Sequence, residues 1–248
     1  MAKRRKRRDD GPLPPPLPPK TRTVGQLVAE AMRLYGDRFW PAILLGLPLA
    51  LIDQVSFGFP TLGQALVLLL GAPLMTAAYV AACVLVTGGR ATLVSLVLGV
   101  VIFLPVPALE LLFLFPAVAW LAFLGQSVPA AVKEQLGFRA ALVRGRQLAL
   151  ADYVHALGSL ATLTIVYVVA KYMLVLLLQS QGDSGMRAAT FLADVVLSPL
   201  LFLGAALLYF DQAARVESNR RPTRRRHADV RPAEHADPAR RPDAEVES

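Results

Sequence analysis

Residues 62–87 read LGQALVLLLGAPLMTAAYVAACVLVT, an apolar run that contains no charged side chain. A helix needs about 20 consecutive apolar residues to cross the hydrocarbon core of a bilayer, so this run is long enough for one crossing. Hydrophobic residues make up 55% of the 248-residue chain, which is more than is usual in a soluble domain. Similar apolar runs cover approximately residues 40–58, 91–105, 107–127, 153–178 and 189–210. The sequence therefore predicts an all-α membrane protein, built as a bundle of transmembrane helices.

The number of spans depends on residues 91–127, because the run at 91–105 is short for a complete crossing. These residues form either one kinked helix or two helices that turn at Pro105-Val106-Pro107. Two helices give about six spans, and a cytoplasmic N-terminus then puts 24 of the 26 Lys and Arg residues inside, with Arg187 outside and Lys171 within a span. One helix would leave 13 basic residues outside and 12 inside. Since basic residues collect on the cytoplasmic side, the pattern predicts six spans with both termini cytoplasmic, in the plasma membrane.

The predicted organisation of the chain has three parts. Residues 1–22 form a basic, proline-rich tail that we expect to be disordered, residues 23–212 form the six-helix transmembrane domain, and residues 213–248 form a disordered cytoplasmic tail. Thr23 is placed to cap an amphipathic helix that leads into the first span. The basic ends lack interleaved aromatic side chains, so we expect them to contact anionic lipid head groups and not nucleic acid.

The residue patterns of common membrane enzymes are missing from the sequence. There is no His-Glu-x-x-His zinc motif, no Gly-x-Ser-x-Gly nucleophile turn and no phosphate-binding glycine loop. His155, His227 and His235 are too scattered to ligate one metal, and Cys83 stands alone inside an apolar run. We therefore expect no catalytic residue, no metal site and no cofactor, and a protein that is not an enzyme.

Four ionisable residues lie inside the apolar runs: Asp53, Glu110, Lys171 and Asp194. Charged residues in membrane spans are expensive to bury and mark candidate functional sites. With six spans, all four fall in the outer half of the membrane. They form either a polar cluster in an outward-facing cavity, with Lys171 paired to one or more carboxylates, or four separate hydrated groups, with Lys171 extending toward the interface.

A second charged stretch, KEQLGFRAALVRGRQLALAD at 133–152, lies between two apolar runs. On a helical wheel, residues 138–149 put one apolar face opposite a face that carries Arg139, Arg144 and Arg146. The pattern predicts a cytoplasmic interfacial helix, with its apolar face toward the bilayer or the bundle and its arginines toward phosphates or carboxylates.

Three blocks of the chain resemble an uncharacterised bacterial membrane-protein family. They are TVGQLVAEAMRLYGDRFWPAI, SVPAAVKEQLGFRAALVRGRQLAL and LSPLLFLGAALLYFDQAARVE, within residues 23–217. The family is labelled as the membrane domain of glycerophosphoryl diester phosphodiesterase. Its motifs correspond here to Pro129 with Glu134, to the Arg144–Leu148 turn without its serine, and to Tyr209-Phe210-Asp211 with Arg215. The chain departs from the last motif at two places: Phe210 replaces a tyrosine, and Gln212-Ala213-Ala214 stands where an arginine is usual.

This resemblance implies a six-helix membrane domain without the family's separate soluble hydrolase barrel. It also implies a cytoplasmic charge cluster made of Glu134, Arg139, Arg144, Arg146, Asp211 and Arg215. Within that cluster, Glu134 or Asp211 is expected to pair with one of the three arginines of the 138–149 helix, which would tie this helix to the end of the last span.

Two functions remain open from the sequence. The first is a non-enzymatic accessory or scaffold subunit that contacts anionic lipid and a membrane-protein partner of unknown identity. The alternative is a transporter or lipid-handling component with an outward-facing polar cavity. The two differ in whether the charged residues of the outer half converge on one cavity or are dispersed toward the head groups.

Overall fold

A computed structural model describes residues 21–229 of the chain, with side chains described for residues 21–218. Within residues 21–229 the chain is helical and contains no β-strand, which confirms the all-α prediction. Short 3₁₀ segments at Leu44–Gly46 and Gln179–Gln181 join neighbouring helices. The α-helices are α1 Val24–Asp37, α2 Phe39–Ile43, α3 Leu47–Ser56, α4 Thr61–Thr87, α5 Leu93–Phe103, α6 Val106–Leu112, α7 Leu114–Leu124, α8 Ser127–Glu134, α9 Phe138–Ala151, α10 Tyr153–Leu178 and α11 Gly182–Asp229.

The described residues contain five helical stretches that are long and apolar enough to cross a membrane. They are Phe39–Ser56, Thr61–Thr87, Leu93–Leu112, Leu114–Glu134 and Tyr153–Ser218. The last stretch is 66 residues long and includes α10 and the part of α11 up to Ser218, and these two helices pack against each other. The chain is thus a multi-pass, all-α membrane bundle.

The turn between the third and fourth stretches lies at Phe113 and not at Pro105-Val106-Pro107. At the prolines α5 ends at Phe103 and α6 begins at Val106, and the amide of Leu109 donates to the carbonyl of Pro105 over 3.0 Å. Proline is tolerated there because it occupies the first turn of α6, where backbone N–H groups have no helical acceptor. Phe113 has extended backbone, and α7 then returns beside α6, with Trp120 Nε1 donating to the carbonyl of Ile102 in α5 over 2.9 Å.

The first helix packs onto the bundle through its apolar face. Thr23 caps α1, since its hydroxyl accepts from the amide of Gln26 and its own amide donates to the Gln26 side chain. On the inner face, Leu27 and Ala31 are fully buried against α10 and α11. The sequence prediction of an amphipathic helix after Thr23 is therefore confirmed.

The predicted helix of the second charged stretch is α9, and its apolar face is buried as the wheel predicts. Ala141, Gly145, Leu148 and Ala149 lie on that face. Gly145 permits a close crossing with α8, because a Cβ added there would lie 2.0 Å from Ser127 Oγ and 2.6 Å from its Cα. The apolar face thus packs against the protein itself.

Each predicted tail overlaps the described residues at its inner end. The first was predicted to include residue 22, but Arg22 is only 8% exposed and is held by an ion pair. The second was predicted to begin at residue 213, but α11 continues to Asp229. The remaining parts of these predicted tails, residues 1–20 and 230–248, lie outside the described residues.

Candidate functional site

Three of the four intramembrane charged residues meet at one point inside the bundle. Lys171 on α10 reaches between Asp53 on α3 and Asp194 on α11. Its ammonium lies 2.8 Å from Asp194 Oδ1 and forms a second ion pair with Asp53 Oδ2. One cation thereby joins α3 to the consecutive helices α10 and α11, as the cluster interpretation of the sequence predicts for these residues.

Tyr167 completes this arrangement, although the sequence interpretation did not include it. Its hydroxyl donates to Asp194 Oδ1 over 2.5 Å and lies 3.2 Å from the Lys171 ammonium. The available signal was its position four residues before Lys171, which places the two side chains on the same face of a helix. Asp53, Tyr167, Lys171 and Asp194 are called the polar cluster below.

Asp194 is the most enclosed member of the polar cluster. Its side chain is fully buried, and Oδ2 has no hydrogen-bond partner among the described residues. A buried carboxylate is costly unless it is paired and hydrogen-bonded. Lys171 and Tyr167 meet that requirement at Oδ1, so their contacts hold α10 and α11 in register.

Glu110 lies apart from the polar cluster but faces Asp53 across open space. Its side chain is exposed and forms no ion pair with another described residue. Glu110 and Asp53 both line a cavity of about 270 Å³ and a neighbouring one of about 280 Å³. The two carboxylates therefore mark the place where these cavities adjoin.

The first of these, called the main cavity, is long and mostly apolar. Its lining follows one face of α7 through Leu114, Ala117, Val118 and Leu121, and continues to Gly125 just after this helix. At 1.5 Å per residue, a helix of this length extends about 16 Å. Asp53, Glu110 and Tyr167 line one end, and Gln126 lines the other. The shape suits an elongated apolar group with a polar head.

Asp211, predicted to pair with Arg139, Arg144 or Arg146, pairs instead with Arg22. The Arg22 guanidinium lies 2.9 Å from Asp211 Oδ1, and Asp211 is fully buried. The Asp211 alternative of the predicted pairing is not observed, because α1 packs beside α11 and brings Arg22, two residues before this helix begins, to Asp211. Arg139 and Arg146 extend from the exposed face of α9 and form no ion pair among residues 21–218.

Further contacts surround this pair. Arg215 Nη1 lies 2.6 Å from Asp152 Oδ2, and Asp152 also caps α10 by accepting from the amide of His155. His155 Nε2 is 3.8 Å from Asp211 Oδ2. Together these contacts join the beginning of α1, the beginning of α10 and the later part of α11. Sequence reasoning missed Arg22 and Asp152 here, although Asp152 occupies a typical helix-capping position.

Glu134 makes the other predicted pairing, with Arg144. Arg144 Nε donates to Glu134 Oε1 over 2.9 Å, and the hydroxyl of Tyr209 donates to the same oxygen over 2.7 Å. One carboxylate therefore joins α8, α9 and α11. Beside it, Arg139, Val143 and Gln147 border an open groove of about 500 Å³ on the surface of α9.

The described residues contain no group of three or more His, Cys, Asp or Glu side chains placed to hold a metal ion. Comparison with known proteins gives no matching family model, no matching curated protein and no matching solved structure. The resemblance to the glycerophosphoryl diester phosphodiesterase membrane family accordingly stays a prediction from its sequence motifs.

Proposed function

We propose that this protein is a transporter or lipid-handling component of the plasma membrane that binds an amphipathic molecule in the main cavity. The observation that carries the proposal is that Asp53, which is paired with Lys171 beside Asp194, lines the polar end of a long apolar cavity together with Glu110 and Tyr167. Ligand sites are typically concave, mostly apolar and supplied with a few convergent polar groups. Charged residues that served only to reach the head groups would be dispersed around the bundle.

The proposed topology has six spans and both termini in the cytoplasm. The sixth span comes from dividing the long fifth stretch into α10 and α11, which lie side by side and are joined by a tight turn at Gly182. The excess of basic residues at the two ends supports this orientation. The polar cluster then lies toward the outer face, and α9 lies at the cytoplasmic face as an interfacial helix. No catalytic step is part of the proposal.

The test is whether the cavity holds a molecule that a larger side chain displaces. The full chain is purified in lipid nanodiscs, and bound small molecules and lipids are measured by native mass spectrometry. Ala205→Phe narrows the main cavity, whereas Ala77→Phe adds the same side chain at an exposed position of α4 outside its lining.

We expect the unmodified protein and Ala77→Phe to retain an amphipathic molecule that Ala205→Phe lacks. Equal occupancy in all three proteins, with unchanged melting temperatures, would contradict a binding role for the cavity.

A second candidate function, an accessory or scaffold subunit that contacts anionic lipid, is favoured by a different observation. Arg139 and Arg146 are exposed on one face of α9, beside the open groove. Guanidinium groups recognise phosphate well, and basic residues near a membrane attract anionic lipid. In nanodiscs that contain equal amounts of phosphatidylglycerol and phosphatidylcholine, the double variant Arg139→Gln/Arg146→Gln should retain less phosphatidylglycerol than Arg33→Gln does.

A further inference from the structure

We propose that the ligand of the main cavity is an amphipathic cation, a long-chain amine with a hydrogen-bond donor toward its other end. This inference rests on the binding role proposed above and specifies the chemistry of the molecule bound. It is carried by the charge of the cavity wall, by the position of the two carboxylates and by an unpartnered amide at the far end.

The charge of the cavity wall is negative. Two of its lining residues, Asp53 and Glu110, carry carboxylates, and none of its described lining residues is Lys, Arg or His. Lys171 is not part of the lining and is already paired with Asp53 and Asp194. Because this region holds three carboxylates, Asp53, Glu110 and Asp194, and one ammonium, an added cation is attracted and an added anion is repelled.

The two carboxylates are placed to hold one head group. Both Asp53 and Glu110 line the main cavity and its neighbour, so a cation between them would have one carboxylate from α3 and one from α6. Glu110 forms no ion pair with the described residues and is free to bind without breaking an existing contact. The apolar face of α7 then receives the chain of the ligand.

Gln126 supplies an independent indication of a ligand. It is only 2% exposed, it lines the main cavity, and its Oε1 has no hydrogen-bond partner among the described residues. A buried acceptor normally has a partner. An O–H or N–H group near the tail end of the ligand would donate to this oxygen, which distinguishes the inferred ligand from a simple alkylamine.

The experiment compares four probes with the same chain length: dodecylamine, its ω-hydroxy analogue, dodecanol and dodecanoate. Affinity for the full chain in phosphatidylcholine nanodiscs is measured by calorimetric titration, with empty nanodiscs as the reference for partition into lipid. We expect the ω-hydroxy amine to bind most tightly, and dodecylamine to bind about tenfold more tightly than dodecanol, a ratio that corresponds to one modest charge interaction. Dodecanoate should bind most weakly.

Variants assign these preferences to residues. Glu110→Gln should weaken dodecylamine binding about tenfold and leave dodecanol binding unchanged. Asp183→Asn, which removes a carboxylate that does not line the cavity, should weaken neither. Gln126→Leu should remove the advantage of the hydroxyl group while leaving the affinity for dodecylamine unchanged.

Two outcomes would overturn the inference. Dodecanol or dodecanoate binding as tightly as dodecylamine would exclude charge selection by the carboxylates. An equal loss of affinity in Glu110→Gln and Asp183→Asn would show a general surface effect. If these outcomes occur while Ala205→Phe still empties the cavity, the cation inference fails and the binding function stands. If Ala205→Phe also has no effect, both fail.

Discussion

Replacing Arg22 with methionine tests the contact that joins the two ends of the described chain. The substitution keeps an apolar stem but removes the guanidinium that lies 2.9 Å from Asp211. The Arg22 side chain is 9% exposed and that of Asp211 is fully buried, so water cannot replace the lost partner. The carboxylate is left with His155, whose Nε2 is 3.8 Å away, and with the nearby charge of Arg215, which is itself paired with Asp152.

The size of the effect follows from the burial of both partners. Removing one member of a buried ion pair destabilises a protein by about 3–5 kcal/mol, because the other charge remains buried without compensation. The nearby imidazole places the expected value near the lower limit, about 3 kcal/mol. At about 2–4 °C per kcal/mol for a chain of this size, the melting temperature should fall by about 6–12 °C.

The measurement is thermal unfolding of the purified chain in nanodiscs, followed by intrinsic fluorescence. Arg33→Met is the matched control, since the Arg33 and Asp37 side chains are 45% and 69% exposed and their atoms are 3.9 Å apart. Such an exposed pair contributes about 0–1 kcal/mol. Adding Asp211→Asn to Arg22→Met should recover part of the loss, because the unpaired charge is then gone.

Equal melting temperatures for Arg22→Met and Arg33→Met would refute the reasoning. The reasoning would also be refuted if Asp211→Asn lowered the stability of Arg22→Met by as much as it lowers the stability of the unmodified protein. The two residues would then act independently.

Three other substitutions have defined outcomes in the same unfolding assay. Lys171→Met leaves two carboxylates without their shared cation and should destabilise the bundle by about 2–3 kcal/mol. The loss is smaller than for a fully enclosed pair because the Lys171 side chain is 19% exposed. An unchanged stability would mean that the cluster is hydrated. Gly145→Ala puts a Cβ 2.6 Å from the backbone of α8 and should lower the free energy of unfolding by about 1–3 kcal/mol. Gly158→Ala on α10 is the control, since its Cβ meets nothing within 4 Å and the change should be neutral or stabilising. The reverse order of stabilities would contradict the close crossing of α8 and α9. Glu134→Gln weakens the hydrogen bonds from Arg144 and Tyr209 to the carboxylate and should cost about 1 kcal/mol, an effect that should become smaller in an Arg144→Gln background.

Periodicity and span length predicted the features that depend on local sequence. The buried face of α9 follows from residues three and four apart, so a wheel finds Ala141, Gly145, Leu148 and Ala149. Span topology also put Asp53, Lys171 and Asp194 at a similar depth, which made their meeting one of two open interpretations. The choice between them required the packing of α3, α10 and α11, which no local pattern contains.

The missed features depend on contacts between distant segments. Arg22 follows a basic, proline-rich stretch and resembles part of a solvated tail, yet the packing of α1 buries it beside α11. The same packing excludes Arg146 from Asp211. The turn at Phe113 was also missed, because the nearby prolines are strong helix-breaking signals but here occupy the first turn of α6, where they are compatible with a helix.

The pairing of Arg22 with Asp211 has a consequence for biogenesis. The two residues are 189 positions apart, so Arg22 leaves the ribosome long before its partner is synthesised. The guanidinium must stay in water or among lipid phosphates while α2 to α10 are inserted, and it can be enclosed only when the later part of α11 arrives. Burial of Arg22 therefore reports that the last helix has docked, and a nascent chain that stops before Asp211 keeps this arginine accessible to solvent.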